Sequence, residues 1–160
     1  MNFQFRSAAA LVLIGALSGC AVPSAIQIGT STDELQQRLG KPTEVHKSAQ
    51  GGELWDYASG PEGVETWRFD IDRNRKVGSA TQLLTQERLY RIVPGVSTAD
   101  DVKMMLGKPR DIDHLAGETV WEWRVALPPE VGVFVVRFGP DGKASGYNVL
   151  EDIKSDDAVP

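Results

Sequence analysis

Apolar residues recur at helical spacing in two short stretches of this chain and at period two in six others. Leu35 and Leu39 sit four apart on one face of a predicted helix, and Ser31 with Glu34 has the spacing of a capping box. Val102, Met105 and Leu106 repeat that stripe. Gly40 and Gly107 suit the backbone just past a helix end, and Pro42 and Pro109 prevent continuation, so both helices should stop there. Strands follow each stop. Trp55 and Tyr57 alternate with Leu54 and Asp56, and Trp121, Trp123 and Val125 alternate with Glu122 and Arg124. Trp67, Phe69 and Ile71, then Phe134, Val136 and Phe138, mark the second strand of each set. The turn compositions Asp72-Arg73-Asn74-Arg75 and Gly139-Pro140-Asp141-Gly142 lead into third strands near Val77 to Leu84 and Ala144 to Leu150. Asp70 and Asp72 read as a strand end and a turn start, and Gly60-Pro61-Glu62-Gly63 as a hairpin turn.

The chain therefore says nearly the same thing twice. Ser31 to Leu35 with Leu39-Gly40-Lys41-Pro42 matches Thr98 to Val102 with Leu106-Gly107-Lys108-Pro109, at a constant offset of 67. Glycines precede both copies, at Gly29 and Gly95. Trp55-Asp56-Tyr57 pairs with Trp121-Glu122-Trp123, and Arg68-Phe69 with Arg137-Phe138. The predicted class is α+β: two tandem modules, each a helix plus a three-stranded antiparallel sheet, with the helices on one face. Thr85 to Ile92 suggests an extra short helix opening the second module. The expected boundaries are 28–84 and 85–150, with an acidic tail over 151–160.

The segment before the first module reads as an address. Arg6 gives a thin positive start, Ala8 to Leu17 an apolar stretch, and Leu17-Ser18-Gly19-Cys20 a lipoprotein cleavage box. The apolar stretch falls short of the roughly 20 residues a spanning helix needs. The expectation is a signal peptide over 1–19 and a lipidated Cys20 at the head of a tether over 20–27. Ala21, where an aspartate would favour inner-membrane retention, points to the periplasmic face of the outer membrane. If Cys20 carries lipid, the only cysteine is spent and no internal disulfide can form. The formal charge of −5, one unit more negative without Arg6, argues against a nucleic-acid partner.

Together these motifs resemble the outer-membrane assembly lipoprotein family BamE, also called SmpA/OmlA, in a tandem two-module form. The resemblance runs roughly from Ile28 to Leu150, through Gly29 to Pro42, Gly95 to Pro109, and Gln82 to Glu87 leading to Pro94-Gly95. It implies an outer-membrane anchor and a supporting role in the complex that inserts β-barrel proteins. The β-lactamase inhibitor proteins are similar in using two tandem modules, which makes a protein partner the common implication. Gly40, Pro42, Gly107 and Pro109 are the module-building positions, and no partner-contacting residue is carried over.

Candidate chemistry changes this picture little. His46 and His114 follow the paired prolines by four and five residues and read as solvated loop positions; a metal site needs three or four convergent ligands. No serine stands in a nucleophile-elbow context and no phosphate loop is present. We therefore expect no catalytic residue, metal or cofactor. The aromatics of the first strands should be buried beneath the helices. Val131, Val133 and Val135 are different, because they project opposite Phe134, Val136 and Phe138 and make that strand apolar on both faces. Either a loop, the tail or the other module covers them, or they form a partner-binding patch on the helix-free face, rimmed by Arg124 and Arg137. The function expected is a non-enzymatic, lipid-anchored adaptor that binds a periplasmic or outer-membrane protein. The alternative is a periplasmic inhibitor or sensor that binds an enzyme or envelope polymer through the same face.

Overall fold

The computed structural model describes residues 22–152. Cys20, the cleavage box and residues 153–160 lie outside that range. A 3-10 turn over Pro23–Ala25 leads to α1 (Thr32–Leu39), then β1 (Glu44–Lys47), β2 (Glu53–Ala58), β3 (Thr66–Ile71) and β4 (Val77–Gln82). The second half runs α2 (Gln86–Leu89), α3 (Ala99–Leu106), β5 (Asp111–Leu115), β6 (Glu118–Leu127), β7 (Glu130–Phe138) and β8 (Ala144–Glu151). Both halves are antiparallel meanders, β1-β2-β3-β4 and β5-β6-β7-β8.

Each sheet thus has four strands, which corrects the expectation of three. The additional strands, β1 and β5, follow the helix-stopping prolines and carry His46 and His114, so neither histidine is a loop residue. Both strands lie at sheet edges and mix charged residues with one or two exposed apolar ones. Backbone pairing to β2 and β6 holds them, from Glu44↔Asp56 to Lys47↔Glu53 and from Asp111↔Glu122 to Leu115↔Glu118.

Local chemistry sets the helix limits. Ser31 Oγ accepts from the Glu34 N–H at 3.2 Å, and Thr98 with Asp101 closes a full capping box. At the other ends Gly40 and Gly107 take φ of 80° and 77°, a region that penalises any side chain. Tyr57 Oη donates to the Gly40 carbonyl at 3.3 Å, and Trp123 Nε1 donates to the Gly107 carbonyl at 3.2 Å. The aromatic of each second strand thereby satisfies a helix-end carbonyl that lacks a partner within its helix. Burial pushes the Tyr57 phenol up to about 12.

Two cores result, one per half. Leu35, Trp55, Tyr57, Phe69, Ile71 and Val77 pack in the first, joined by Ile26 from beyond the 3-10 turn. In the second, Val102 and Leu106 of α3 meet Trp123, Phe134, Val136 and Phe138. Full burial of a Leu or Phe contributes about 1.5–3 kcal/mol relative to exposure, so these clusters hold the helices onto one face of each sheet. Leu84 packs in the second core with Leu89 and Ile92. Glu151 closes β8, and Asp152, just past the strand, binds Arg124 of the second sheet.

The duplication is visible in bonds as well as letters. Thr43 N–H donates to the Asp56 carbonyl and Arg110 N–H to the Glu122 carbonyl, each at 2.7 Å. Isolated bridges join Ser31 to Lys76 and Thr98 to Lys143. A register shift interrupts β3 between Asp70 and Ile71, and β7 between Arg137 and Phe138. These markers correct the pairing of Arg68 with Arg137. Arg68 lies opposite Asp56, whereas the residue opposite Glu122 is Val135. Arg68 therefore corresponds to Val135, Thr66 to Val133, and Asp70 to Arg137.

Candidate functional site

That corrected register shows what each sheet carries on the face away from its own helix. In the first sheet the face is ionic. Asp56, 1 % exposed, receives Arg68 Nε on one oxygen and Nη2 on the other, both at 2.7 Å. Such forked pairing is the strong geometry for a carboxylate. Glu44 and His46 share this face from β1, with His46 Nε2 3.5 Å from Asp56 Oδ2 and 3.7 Å from Glu44 Oε2. Glu44 Oε1 also takes Lys103 Nζ, at 2.7 Å.

Lys103 comes from the other half. The last turns of α3 sit against this ionic face: the Met104 carbonyl accepts from Arg68 Nη1, and Gly107 lies beside Thr66, Leu83 and Asp56. The second half thus covers the first sheet with a helix end, and Arg68 caps one of that helix's terminal carbonyls.

On the second sheet the same positions are apolar. Val133 and Val135 form a small cluster with Val120, 4 to 7 % exposed. The expected patch is therefore divided. Val133 and Val135 are shut away, while Val131 is 37 % and Leu150 49 % exposed on the same face. Arg124 reaches across this face: its Nε donates to Asp152 Oδ2 at 2.5 Å, and its Nη1 meets the Glu62 carbonyl. The β2–β3 hairpin of the first half thus touches the second sheet. Arg137 is half-buried beside Asn148. Among the named candidates, the structure places Val131, Arg124 and Arg137 around the rim and Val133 and Val135 beneath it.

Gly40 and Gly107 end their helices, and Pro42 and Pro109 follow before β1 and β5. Cys20 lies outside the described residues. Sequence reasoning missed the Glu44, His46, Asp56, Arg68 and Lys103 assembly. Its signal was present in part: Glu44 and His46 alternate two apart, as one face of a strand requires, opposite a repeat unit with Asp56 at its centre.

No family model and no curated protein matches this sequence. Three solved structures are similar. An extracellular protein containing an SCP domain, from Bacillus anthracis, is 16 % identical over 95 % of this chain, with a TM-score of 0.32; this chain spans 50 % of that protein's length. A DUF4309 family protein from Bacillus subtilis is 13 % identical over 77 % of this chain and 79 % of its own, with a TM-score of 0.30. A Streptococcus mutans protein proposed to be a β-lactamase inhibitor is 15 % identical over 83 % of this chain and 89 % of its own, with a TM-score of 0.33.

Proposed function

We propose that this chain is a non-enzymatic protein-binding adaptor, tethered by lipid on Cys20 to the periplasmic face of the outer membrane and serving β-barrel assembly or envelope integrity. One observation carries the binding reading: the chain covers the helix-free face of its first sheet with the end of a helix, through Arg68 and the Met104 carbonyl. On the equivalent face of the second sheet the apolar centre of Val120, Val133 and Val135 is closed over, and Val131 and Leu150 remain exposed beside it. The partner we infer offers a helix end or amphipathic segment whose apolar side chains meet Val131 and Leu150 and whose carbonyls or carboxylates meet Arg137. Tethering raises the effective concentration toward membrane-bound partners, so a small surface suffices.

Crosslinking in intact cells with the full chain tests the reading. Val131→Asp combined with Arg137→Glu alters exposed and rim positions, should leave the fold intact by circular dichroism, and should abolish the crosslink. Recovery of barrel-assembly subunits supports the assembly role; recovery of a soluble enzyme instead would move the protein to the inhibitor class. Cys20→Ala should shift the protein from the membrane to the soluble fraction, and unchanged fractionation would remove the anchor from the reading.

A further inference from the structure

We propose that Glu44, His46 and Asp56 form a binding site for a zinc-class divalent ion on the ionic face of the first sheet. This inference is independent of the protein-binding reading and rests on the geometry of one cluster. A ligand atom from each of the three residues lies within 4.8 Å of the others. Two of those atoms, Glu44 Oε2 and His46 Nε2, are closed to solvent and have no hydrogen-bond partner. Buried polar atoms are almost always paired, so two solvent-closed, unbonded donor atoms facing one another supply lone pairs suited to a cation.

The separations identify what fits. At 3.5 and 3.7 Å from the two carboxylate oxygens, His46 Nε2 is too far for a good hydrogen bond. A zinc ion with ligand bonds of about 2.1 Å in a tetrahedral site holds its donors roughly 3.4 Å apart. One imidazole and two carboxylates suit zinc or its neighbours in the first transition row, whereas magnesium and calcium favour all-oxygen shells. The scaffold is rigid where it needs to be. Glu44 and His46 stand two apart on β1, and Asp56 is the residue paired with Glu44 on β2. Arg68 bonds both Asp56 oxygens, Oδ2 beside His46 included, so it fixes the carboxylate's orientation and leaves Oδ2 one further lone pair for an ion.

Charge sets the terms of binding. With neutral imidazole, Arg68 and Lys103 already balance the two carboxylates, so the ion enters a cluster with no excess negative charge. Lys103 is the cation able to yield, because its side chain is 37 % exposed and reaches Glu44 from α3. Lys103 holds Glu44 Oε1 while the unbonded oxygen is Oε2, so an ion there shares the carboxylate with the ammonium, repels it, and loosens that tie between the halves.

The test uses the full chain carrying Cys20→Ser, which removes its one thiol. After chelator treatment it is titrated with Zn2+ by calorimetry and with Co2+ by visible absorption. One equivalent should bind, with the intense cobalt bands of a four-coordinate site. His46→Gln should weaken binding at least tenfold, Lys103→Met should strengthen it, and His114→Gln should leave it unchanged. Failure to take up either ion, binding unaltered in His46→Gln, or loss in His114→Gln overturns the proposal. Unaltered affinity in Lys103→Met overturns the assignment of Glu44. Should His46→Gln not fold, the cobalt spectrum of the parent chain decides, because a six-coordinate, weakly absorbing ion contradicts the site.

Discussion

Arg68 closes a two-bond fork on Asp56 at 2.7 Å while its remaining nitrogen holds the Met104 carbonyl of the opposite half. Position for position, the second sheet replaces this pair by Glu122 and Val135, and Val135 packs with Val120 and Val133. One duplicated framework thus carries a buried ion pair in one copy and a small apolar cluster in the other.

The consequence for stability is testable. Arg68→Val strands Asp56, 1 % exposed, as an uncompensated buried charge, and should cost about 3–5 kcal/mol. Replacing both partners, Asp56→Val with Arg68→Val, removes the charge along with its partner and should recover most of that loss. Urea denaturation of the three proteins measures the difference. A double variant no more stable than the single one would show that the ion pair itself, not the stranded charge, carries the energy.

Helix α3 should depend on its cap more than α1 does. Thr98 and Asp101 satisfy each other's backbone N–H groups, whereas Ser31 only accepts from Glu34. Thr98→Ala should cost about 1–2 kcal/mol and Ser31→Ala about half as much. Bonds from the Thr98 backbone and then its side chain hold the Asp101 carboxyl below its ordinary value. That contribution is present above the usual carboxylate range and is lost as pH falls through the lowered value. The stability gap between the parent and Asp101→Asn should accordingly shrink on acidification; a gap that is flat with pH would contradict the cap.

Much of this architecture is legible in the residues alone, for reasons that particular positions make plain. Leu-Gly-Lys-Pro stops a helix twice, and Trp55, Tyr57, Trp121 and Trp123 alternate because one face of each sheet lies under or beside the helix-packed core. The edge strands β1 and β5 were hidden because backbone pairing, not burial, makes them: Val45 and Ile112 stay exposed, so no apolar face signals a strand. The pairing of Arg68 with Arg137 followed matching letters, while register follows hydrogen bonds and the two bulges. The ionic cluster could not be assembled from spacing, because Lys103 reaches Glu44 only once the two halves meet.

Tyr57 should give the protein an alkaline limit. Its phenol, buried against Phe69 and bonded to the Gly40 carbonyl, holds its proton up to about 12 when folded and to about 10 when unfolded. Below pH 10 both states keep the proton and the contribution is constant. Between about 10 and 12 the unfolded chain ionises first, so stability falls, and it levels above that window. Tyr57→Phe should lose about 0.5–1.5 kcal/mol at neutral pH with the hydrogen bond, yet show a shallower decline above pH 10. Parallel decline in both proteins would assign the alkaline loss to other groups.

The two helix-end glycines separate what the backbone demands from what the contact between halves demands. Both have φ near 80°, with ψ of −162° and −170°, so alanine at either position is forced into a region essentially reserved for glycine, at roughly 1–3 kcal/mol. At Gly40 a new Cβ meets nothing within 4 Å. At Gly107 it would lie 2.8 Å from Thr66 Cγ2, 3.5 Å from Leu83 Cδ1 and 3.7 Å from Asp56 Oδ2. Thr66 belongs to the first sheet, so the added methyl pushes the halves apart. Gly107→Ala should therefore destabilise by clearly more than Gly40→Ala, with overpacking adding about 1–3 kcal/mol. Thr66→Ser, which deletes the opposing methyl, should restore most of the excess in Gly107→Ala and do nothing for Gly40→Ala. Thermal denaturation of these four variants beside the parent and Thr66→Ser alone reads the coupling directly, and equal losses at the two glycines would mean that α3 does not rest on the first sheet in solution.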